Sequence, residues 1–181
     1  MEDQPALQTD RLTLRPFTLD DVAEVRPLVS EREIAATTLN IPHPYPDGEA
    51  ENWISKHKPF YDEGKAITFA IILSETGKLI GAIGLGIKRK HAHAEMGYWI
   101  GKPYWNKGYC TEAAREILNY GFKMLELNRI HSHHMTKNPQ SGKVMQKMGM
   151  SYEGTLRQHV MKDGEYQDLA IYAITRDQYD S

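Results

Sequence analysis

Residues 105–113 read WNKGYCTEA, a glycine-containing turn that joins a predicted strand to the longest predicted helix. The helix is predicted because apolar residues such as Ala114, Ile117 and Leu118 recur at helical spacing. A glycine lets a ligand approach the backbone closely, and the first amides of a helix have no acceptor within the helix. The turn therefore predicts an anion cradle, in which amides and the positive end of the helix dipole hold a pyrophosphate.

An ordinary glycine loop is the alternative to this cradle, with Thr111 as the cap of the helix. In the cradle interpretation the Thr111 hydroxyl is instead an additional donor to the anion. The GxxxxGK[ST] spacing of a Walker loop is not present, so a nucleoside triphosphate loop of that type is not expected. The residues of the turn do not decide between the anion cradle and the ordinary glycine loop.

Periodic patterns extend from this turn towards both ends of the chain. Upstream, the sequence predicts a strand at 9–15, two helices, and three antiparallel strands at 66–73, 79–87 and 94–100. Downstream, it predicts a strand at 129–135, a helix at 139–148, and two closing strands joined by a turn at 162–165. We expect Pro27 to kink or shorten the first helix and Asp47 to cap the second, which ends near Gly64. The order βααβββαβαββ indicates a mixed α+β layer.

Composition limits the class of protein. The chain has 181 residues, which predicts one domain, placed at 9–177 with short tails at 1–8 and 178–181. Its 22 basic and 24 acidic side chains leave no positive excess, so nucleic acid is not an expected partner. The longest nearly apolar stretch, 66–73, is too short to span a membrane. The single cysteine, Cys110, and a start that lacks the features of a secretory signal predict a cytoplasmic location.

Several blocks of residues occur in one order along the chain. They read TDRLTLRP at 9–16, GYWI at 97–100, YWNKGYCTEA at 104–113, NPQS at 138–141, KMGM at 147–150 and YQD at 166–168. Together, over roughly residues 9–175, they resemble the GNAT superfamily of acetyl-CoA-dependent N-acetyltransferases. The first and last blocks resemble the branch that contains the ribosomal-protein N-terminal (Rim-type) acetyltransferases.

The resemblance implies both a fold and an activity. The fold is α+β, with a mixed, mostly antiparallel central sheet of about seven strands and helices on both faces. The activity is transfer of acetyl from acetyl-CoA to a primary amine, by direct attack through a tetrahedral intermediate. The first expected acceptor is the N-terminal α-amine of a ribosomal protein or peptide; a polyamine, amino sugar or amino acid is the second. A non-catalytic acyl-CoA-binding module is a further alternative, and a homodimer is an expectation by analogy.

The same resemblance implies which residues hold acetyl-CoA. The pyrophosphate would lie on the amides of the cradle, which are those of Lys107, Gly108, Tyr109, Cys110 and Thr111. The pantetheine would pair like an added strand with the backbone of Trp99 and Ile100. Asn138 would hold the pantetheine near the start of the last helix, and its alternative role is to cap that helix.

Two positions depart from the [QR]-x-x-G-x-[GA] phosphate motif of the family, namely Trp105 and Cys110. Trp105 removes a polar side chain but leaves the amides of the turn in place. Cys110 has two interpretations: a thiol activated by the helix N-terminus, or a buried and inert residue. An acetyl-cysteine intermediate would need a base and an open approach, and neither is visible in the sequence.

The resemblance also implies catalytic residues. Many family members carry a tyrosine acid where this chain has Met145, so Ser141 is the nearest polar replacement and would donate a hydrogen bond to the CoA sulfur. Glu95 would act as the base, directly or through water. The alternatives are a first-turn helix residue for Ser141 and a solvated strand carboxylate for Glu95. At pH 7, deprotonating an α-amine costs only ~1.4 kcal/mol against ~4.6 for a lysine, so an α-amine suits a weakly placed base.

A histidine cluster at 131–134 raises the question of a metal site. Strand alternation places His134 on the opposite face from His131 and His133, so these side chains do not converge. Zinc sites need three or four convergent ligands, and no metal is therefore expected.

Overall fold

The computed structural model describes residues 3–181 as one sheet of eight strands with helices on both faces. The strands are β1 (Leu7–Gln8), β2 (Leu12–Pro16), β3 (Ala66–Leu73), β4 (Leu79–Lys88), β5 (His93–Ile100), β6 (Arg129–Met135), β7 (Ser151–Lys162) and β8 (Glu165–Thr175). The helices are α1 (Val22–Val29), α2 (Arg32–Thr37), α3 (Glu49–Ser55), α4 (His57–Asp62), α5 (Tyr109–Lys123), α6 (Pro139–Lys147) and α7 (Arg176–Asp180). The predicted α+β class and mostly antiparallel sheet are confirmed, with eight strands in place of about seven.

The strand order is β1-β2-β3-β4-β5-β6-β8-β7, and only β5 and β6 run parallel. Alternation along each strand divides the buried side chains between two cores. One core packs against α5 and α6 and includes Phe69, Ile117 and Met145. The other packs against α1 and α3 and includes Val25 and Trp99. The sheet therefore separates two layers of helices.

The helices before β3 differ from the sequence expectation. The first predicted helix ends at Val29, two residues after Pro27, and α2 follows it. The second predicted helix is broken into α3 and α4. Its cap is Gly48, which has a left-handed φ of 78°, rather than Asp47. Asp47 is exposed and forms an ion pair with Arg26. The prediction of Asp47 as a cap is therefore wrong, because a left-handed glycine turns the chain into α3.

The sheet opens between β5 and β6. These strands pair over three residues, from His93↔Arg129 to Glu95↔His131. Beyond that point β5 continues along β4 to Ile100, while β6 continues along β8 to Met135. Over the last five residues of β5, no backbone of β6 pairs with it in the described part of the chain, and two side chains bond its carbonyls instead: Ser132 Oγ donates to Met96 at 2.8 Å and Trp105 Nε1 to Ile100 at 2.6 Å. This gap positions the candidate site.

Two short elements lie at or beyond the predicted domain boundaries. β1 pairs with β2, and α7 begins at a capping box between Thr175 and Gln178. The stacking of Tyr179 on Phe122, with ring centroids 4.7 Å apart, holds α7 against α5. The boundaries at 9 and 177 stay a prediction, and the sheet and the last helix extend past them. None of the helices between residues 3 and 181 has the length and apolar character needed to cross a bilayer.

Candidate active site

A cavity of about 730 Å³ lies where β5 and β6 separate, and its floor is rich in glycine. A Cβ atom built on Gly97 would meet nothing within 4 Å, and one on Gly86 would meet only the Glu95 carbonyl oxygen at 3.9 Å. The face of the sheet is therefore bare at these two positions, which leaves room for a substrate above the backbone. Trp53 and Tyr45 also line the cavity.

Glu95 lines this cavity from β5. Its side chain is 51% exposed, and its carboxylate oxygens lie 3.5 Å from His133 Nδ1 and 3.8 Å from His131 Nε2. Burial lowers the pKa of His131, so this ring is neutral at pH 7. Both distances exceed those of a good hydrogen bond. The Glu95 carboxylate is therefore open to a ligand.

Ser141, in the first turn of α6, lines the same cavity and contacts Tyr98 of β5. The Tyr98 hydroxyl lies 2.9 Å from Ser141 Oγ and donates to the Ser141 carbonyl at 3.1 Å. Glu95 and Tyr98 point to opposite faces of β5, yet the cavity reaches both because the strands have parted. Met145 is fully buried in the core, so it offers nothing to the cavity.

Sequence reasoning missed Tyr98. Its only signal is its place in the GYWI block at 97–100, in which the resemblance implies a role only for the backbone of Trp99 and Ile100. Burial raises the pKa of Tyr98 far above its usual value, so the phenol stays protonated. Tyr98 is therefore a permanent hydrogen-bond donor at the gap.

Asn138 lies at the N-cap position of α6 but makes no side-chain cap bond. Its Nδ2 donates to the carbonyl of Thr37 at 3.3 Å, at the end of α2. Asn138 therefore occupies the cap position of α6, but its side chain does not cap the helix. Asn138 instead ties the start of α6 to a segment, Thr37 to Ile41, that lines the cavity.

A buried lysine holds the same segment from another side. Lys162 is 7% exposed, and its ammonium donates to the carbonyls of Leu39 at 3.3 Å and Ile41 at 2.7 Å. Sequence reasoning treated Lys162 only as part of the β7–β8 turn. The long hairpin of β7 and β8 therefore helps to shape the cavity wall.

The turn before α5 has the features of the predicted cradle. Gly108 is the N-cap and has a left-handed φ of 81°. Thr111 is the third residue of the helix, so its alternative role as the cap is wrong. Among residues 3–181, no backbone acceptor bonds the amides of Lys107, Gly108, Tyr109, Cys110 and Thr111. The positive end of a 15-residue helix and a group of free amides therefore face the same space.

Arg11 lies beside this cradle, although nothing in the sequence places it there. Its Nη1 donates to the Lys107 carbonyl at 3.1 Å, and its guanidinium lies 4.6 Å from the centre of the Tyr109 ring. It also pairs with Glu112 at 2.6 Å. Burial raises the pKa of Glu112, but bonds from Thr9 and Arg11 outweigh this and lower it overall. A cavity of about 700 Å³ beside the cradle is lined by Arg11, Arg115, Lys147, Gly108 and Thr111, among others.

The two departures from the family motif have structural roles. Trp105 Nε1 donates to the Ile100 carbonyl at 2.6 Å, which ties the turn to the end of β5. Cys110 is partly exposed as a residue, but burial raises the pKa of its thiol to about 12. The thiol is therefore protonated at neutral pH. This favours the inert interpretation of Cys110 over a thiol activated by the helix.

The histidines of β6 divide between the two faces, as the alternation predicts. His131 and His133 point towards Glu95, whereas His134 packs against α6, where a Cβ on Gly142 would lie 2.7 Å from its Nε2. Within residues 3–181, no group of three or more His, Cys, Asp or Glu side chains is arranged to hold a metal ion.

Comparison with known proteins agrees with this geometry. A family model described as an acetyltransferase (GNAT) domain matches residues 11–151. The uncharacterized N-acetyltransferase YoaA of Bacillus subtilis is 32% identical over 173 residues, which cover 95% of this chain and 97% of the relative. A crystal structure of a GNAT-family acetyltransferase from Bacillus anthracis superposes with a TM-score of 0.85 at 28% identity, over 96% of this chain and 99% of the other.

Two relatives carry the names of their substrates. The ribosomal protein uS5-alanine N-acetyltransferase of Escherichia coli is 27% identical over 135 residues, covering 74% of this chain and 69% of the relative. The spermidine N(1)-acetyltransferase of Vibrio cholerae is 27% identical over 171 residues, covering 93% of this chain and 95% of the relative. The family model, the full-length relatives and the shared fold agree with one another: this chain belongs to the GNAT family and is an acetyltransferase.

Proposed function

We propose that this enzyme transfers acetyl from acetyl-CoA to the N-terminal α-amine of a ribosomal protein or peptide. The observation that carries the proposal is the parting of β5 from β6 beside the free amides of the α5 N-terminus. A pyrophosphate fits the amides, and an extended chain fits the unpaired edge of β5. Coenzyme A presents both groups in one molecule.

The donor would bind along two elements. The amides from Lys107 to Thr111 would hold the pyrophosphate, with Arg11 contributing positive charge beside Gly108. The backbone of Trp99 and Ile100 would pair with the pantetheine, as in strand addition. Asn138 would bind the pantetheine by exchanging its bond to the Thr37 carbonyl for one to the ligand.

The chemistry would be a direct transfer. The neutral amine attacks the thioester carbonyl carbon, and Glu95 takes the amine proton directly or through water. The carbon–sulfur bond then breaks, and the sulfur leaves with the electron pair. The Ser141 hydroxyl donates a hydrogen bond to that sulfur, which stabilises the departing thiolate until it gains a proton from solvent. A backbone amide near Ile100 would polarise the carbonyl, and holding the two reactants together would supply much of the rate.

The charges of the cavity favour a single amine over a polyamine. The acidic residues Glu49 and Glu95 line it together with two lysines, Lys65 and Lys88, so the lining carries no negative excess. A polyamine with several ammonium groups would gain from such an excess. The bare floor at Gly86 and Gly97 also leaves room for an extended peptide. The uS5-alanine relative supports this acceptor, whereas the spermidine relative supports the small-amine alternative.

The test compares acceptors on the purified full chain. We expect CoA release from acetyl-CoA with a short peptide that has a free N-terminus, and none with the same peptide after its N-terminus is blocked. Release with spermidine and not with peptides would instead establish the small-amine alternative. Acetyl-CoA at 100 times its Kd should raise the free energy of unfolding by about 2.7 kcal/mol. A thermal shift without CoA release from any amine would favour the non-catalytic binding module, and the absence of both would contradict the proposal.

We also propose that the enzyme acts in the cytoplasm and assembles as a homodimer. The single cysteine, Cys110, fits a reducing compartment, where ribosomal proteins are made. The homodimer rests on analogy with the family. Light scattering on the purified chain would give the mass of the assembly, and a value near 20.7 kDa would exclude the dimer.

A further inference from the structure

Tyr98 and Ser141 meet at the gap between β5 and β6. The Tyr98 hydroxyl lies within hydrogen-bond distance of two acceptors on the same residue, at 2.9 Å from Ser141 Oγ and at 3.1 Å from the Ser141 carbonyl oxygen. The two residues are 43 positions apart in the chain, so the contact exists only because α6 packs over the open edge of β5. Both residues line the cavity in which acetyl transfer is proposed to occur.

A phenol has one hydrogen to donate, so these two contacts describe two arrangements. In the first, Tyr98 donates to the Ser141 carbonyl, and the Ser141 hydroxyl donates to Tyr98. In the second, Tyr98 donates to Ser141 Oγ, and the hydrogen of Ser141 is free to point elsewhere. Both fit the same heavy-atom positions, so a rotation of two hydroxyl groups interconverts them.

We propose that Tyr98 is a positioning residue for the leaving group, because its donation to Ser141 Oγ directs the Ser141 hydroxyl towards the CoA sulfur. This inference rests on the proposed function. With the thioester in place, the sulfur accepts the Ser141 hydrogen, and the second arrangement prevails. The Ser141 oxygen, which accepts a bond from Tyr98, becomes a stronger donor because chained hydrogen bonds polarise one another.

The chemistry of Tyr98 restricts it to this role. Burial raises the pKa of its phenol well above that of a thiol, so it does not surrender its proton to a departing thiolate. The sulfur leaves with the electron pair of the carbon–sulfur bond, while Tyr98 and Ser141 keep their protons and supply hydrogen bonds. The thiolate gains its proton from solvent afterwards. Ser141, directed by Tyr98, thus supplies a hydrogen bond to the leaving sulfur in place of the tyrosine acid, for which this chain has the buried Met145.

A double-mutant cycle tests this role, with kcat and the KM for acetyl-CoA measured on the full chain. We expect Ser141→Ala and Tyr98→Phe each to lower kcat by about tenfold while the KM for acetyl-CoA changes little. Because Tyr98 acts through the Ser141 hydroxyl, Tyr98→Phe should cause no further loss in the Ser141→Ala background. If Tyr98 served only to bond the backbone carbonyl of residue 141, that bond would persist in Ser141→Ala. Tyr98→Phe would then still lower kcat in the Ser141→Ala background.

Tyr120→Phe is the matched control, because Tyr120 is also buried but makes no side-chain hydrogen bond among residues 3–181. It should leave kcat unchanged, and urea unfolding should show that each variant is folded at the assay temperature. Equal losses from Tyr98→Phe in both backgrounds, or an unchanged kcat in any of the single variants at the gap, would overturn the inference. Those outcomes leave acetyl transfer by the unaltered protein intact, whereas absence of that transfer would contradict the proposed function itself.

Discussion

β5 meets its two neighbours in very different ways. It pairs with β4 along its full length, from His93 to Ile100, but with β6 only as far as Glu95. On the paired side, a Cβ on Gly81 would lie 2.3 Å from the Trp99 carbonyl oxygen. On the cavity side, a Cβ on Gly97 would meet nothing within 4 Å. β5 is therefore closely paired with β4 and open where its pairing with β6 stops, and the proposed chemistry is placed at that opening.

The largest expected effect is on the chemistry of the open side. Glu95→Gln removes the proposed base without changing the size of the side chain, so kcat should fall by about 100-fold at pH 7. The thermal shift caused by acetyl-CoA should stay the same. Glu75→Gln, at an exposed carboxylate in the β3–β4 turn, is the control and should be neutral. A Glu95→Gln variant with full kcat would show that acetyl transfer does not need this carboxylate.

The next largest effect is a difference in stability between variants at Gly81 and at Gly97. Gly81→Ala forces a methyl group into backbone atoms and should lower the free energy of unfolding by about 2 kcal/mol. Gly97→Ala, which points into open space, should change it by less than about 0.5 kcal/mol. Gly97→Val should instead raise the KM for the acceptor peptide, because the side chain occupies the cavity floor. Urea unfolding measures the change in stability, and steady-state kinetics measures the KM. Equal destabilisation by Gly81→Ala and Gly97→Ala would contradict the difference between the two positions.

The smallest expected effect is on the pH dependence of the free energy of unfolding, through a histidine in the core that packs against α1 and α3. His57 is buried against Phe17 and Trp53, and burial lowers its pKa to about 4. The unfolded chain therefore takes up this proton first as the pH falls below about 6.5, and stability is lost between that pH and 4. By pH 5.5 the loss should be about 1 kcal/mol.

His57→Phe should remove this part of the acid sensitivity, as urea unfolding at pH 7.5 and 5.5 would show. His159→Phe, at an exposed histidine of β7, should leave the difference between the two pH values as it is in the unaltered protein. The expectation is wrong if His57→Phe keeps the full pH dependence. Such a result would show that another titratable group causes the acid sensitivity.

Local patterns predicted the central elements well. β3 runs over Ala66–Leu73, as its apolar run between turn residues predicted, β6 runs over Arg129–Met135, as alternation predicted, and α6 begins at Pro139. The break between α3 and α4 was missed, because apolar spacing through His57 continues across it. Local periodicity reports which face of a segment is buried, and it does not report where a helix must bend to follow the sheet.

The sequence by itself determined the family, the glycine turn before α5 and the strand or helix that carries Glu95 and Ser141, because these depend on short runs of residues. Only the tertiary structure decided which side chains meet there. Arg11 reaches the Lys107 carbonyl across 96 positions, and Lys162 reaches Ile41 across 121. The length of the β5–β6 pairing also lies outside local patterns, since both segments are predicted as strands past the point where they part. Pairing depends on how neighbouring strands and α6 pack, so the gap that lines the candidate site emerges only in the folded chain.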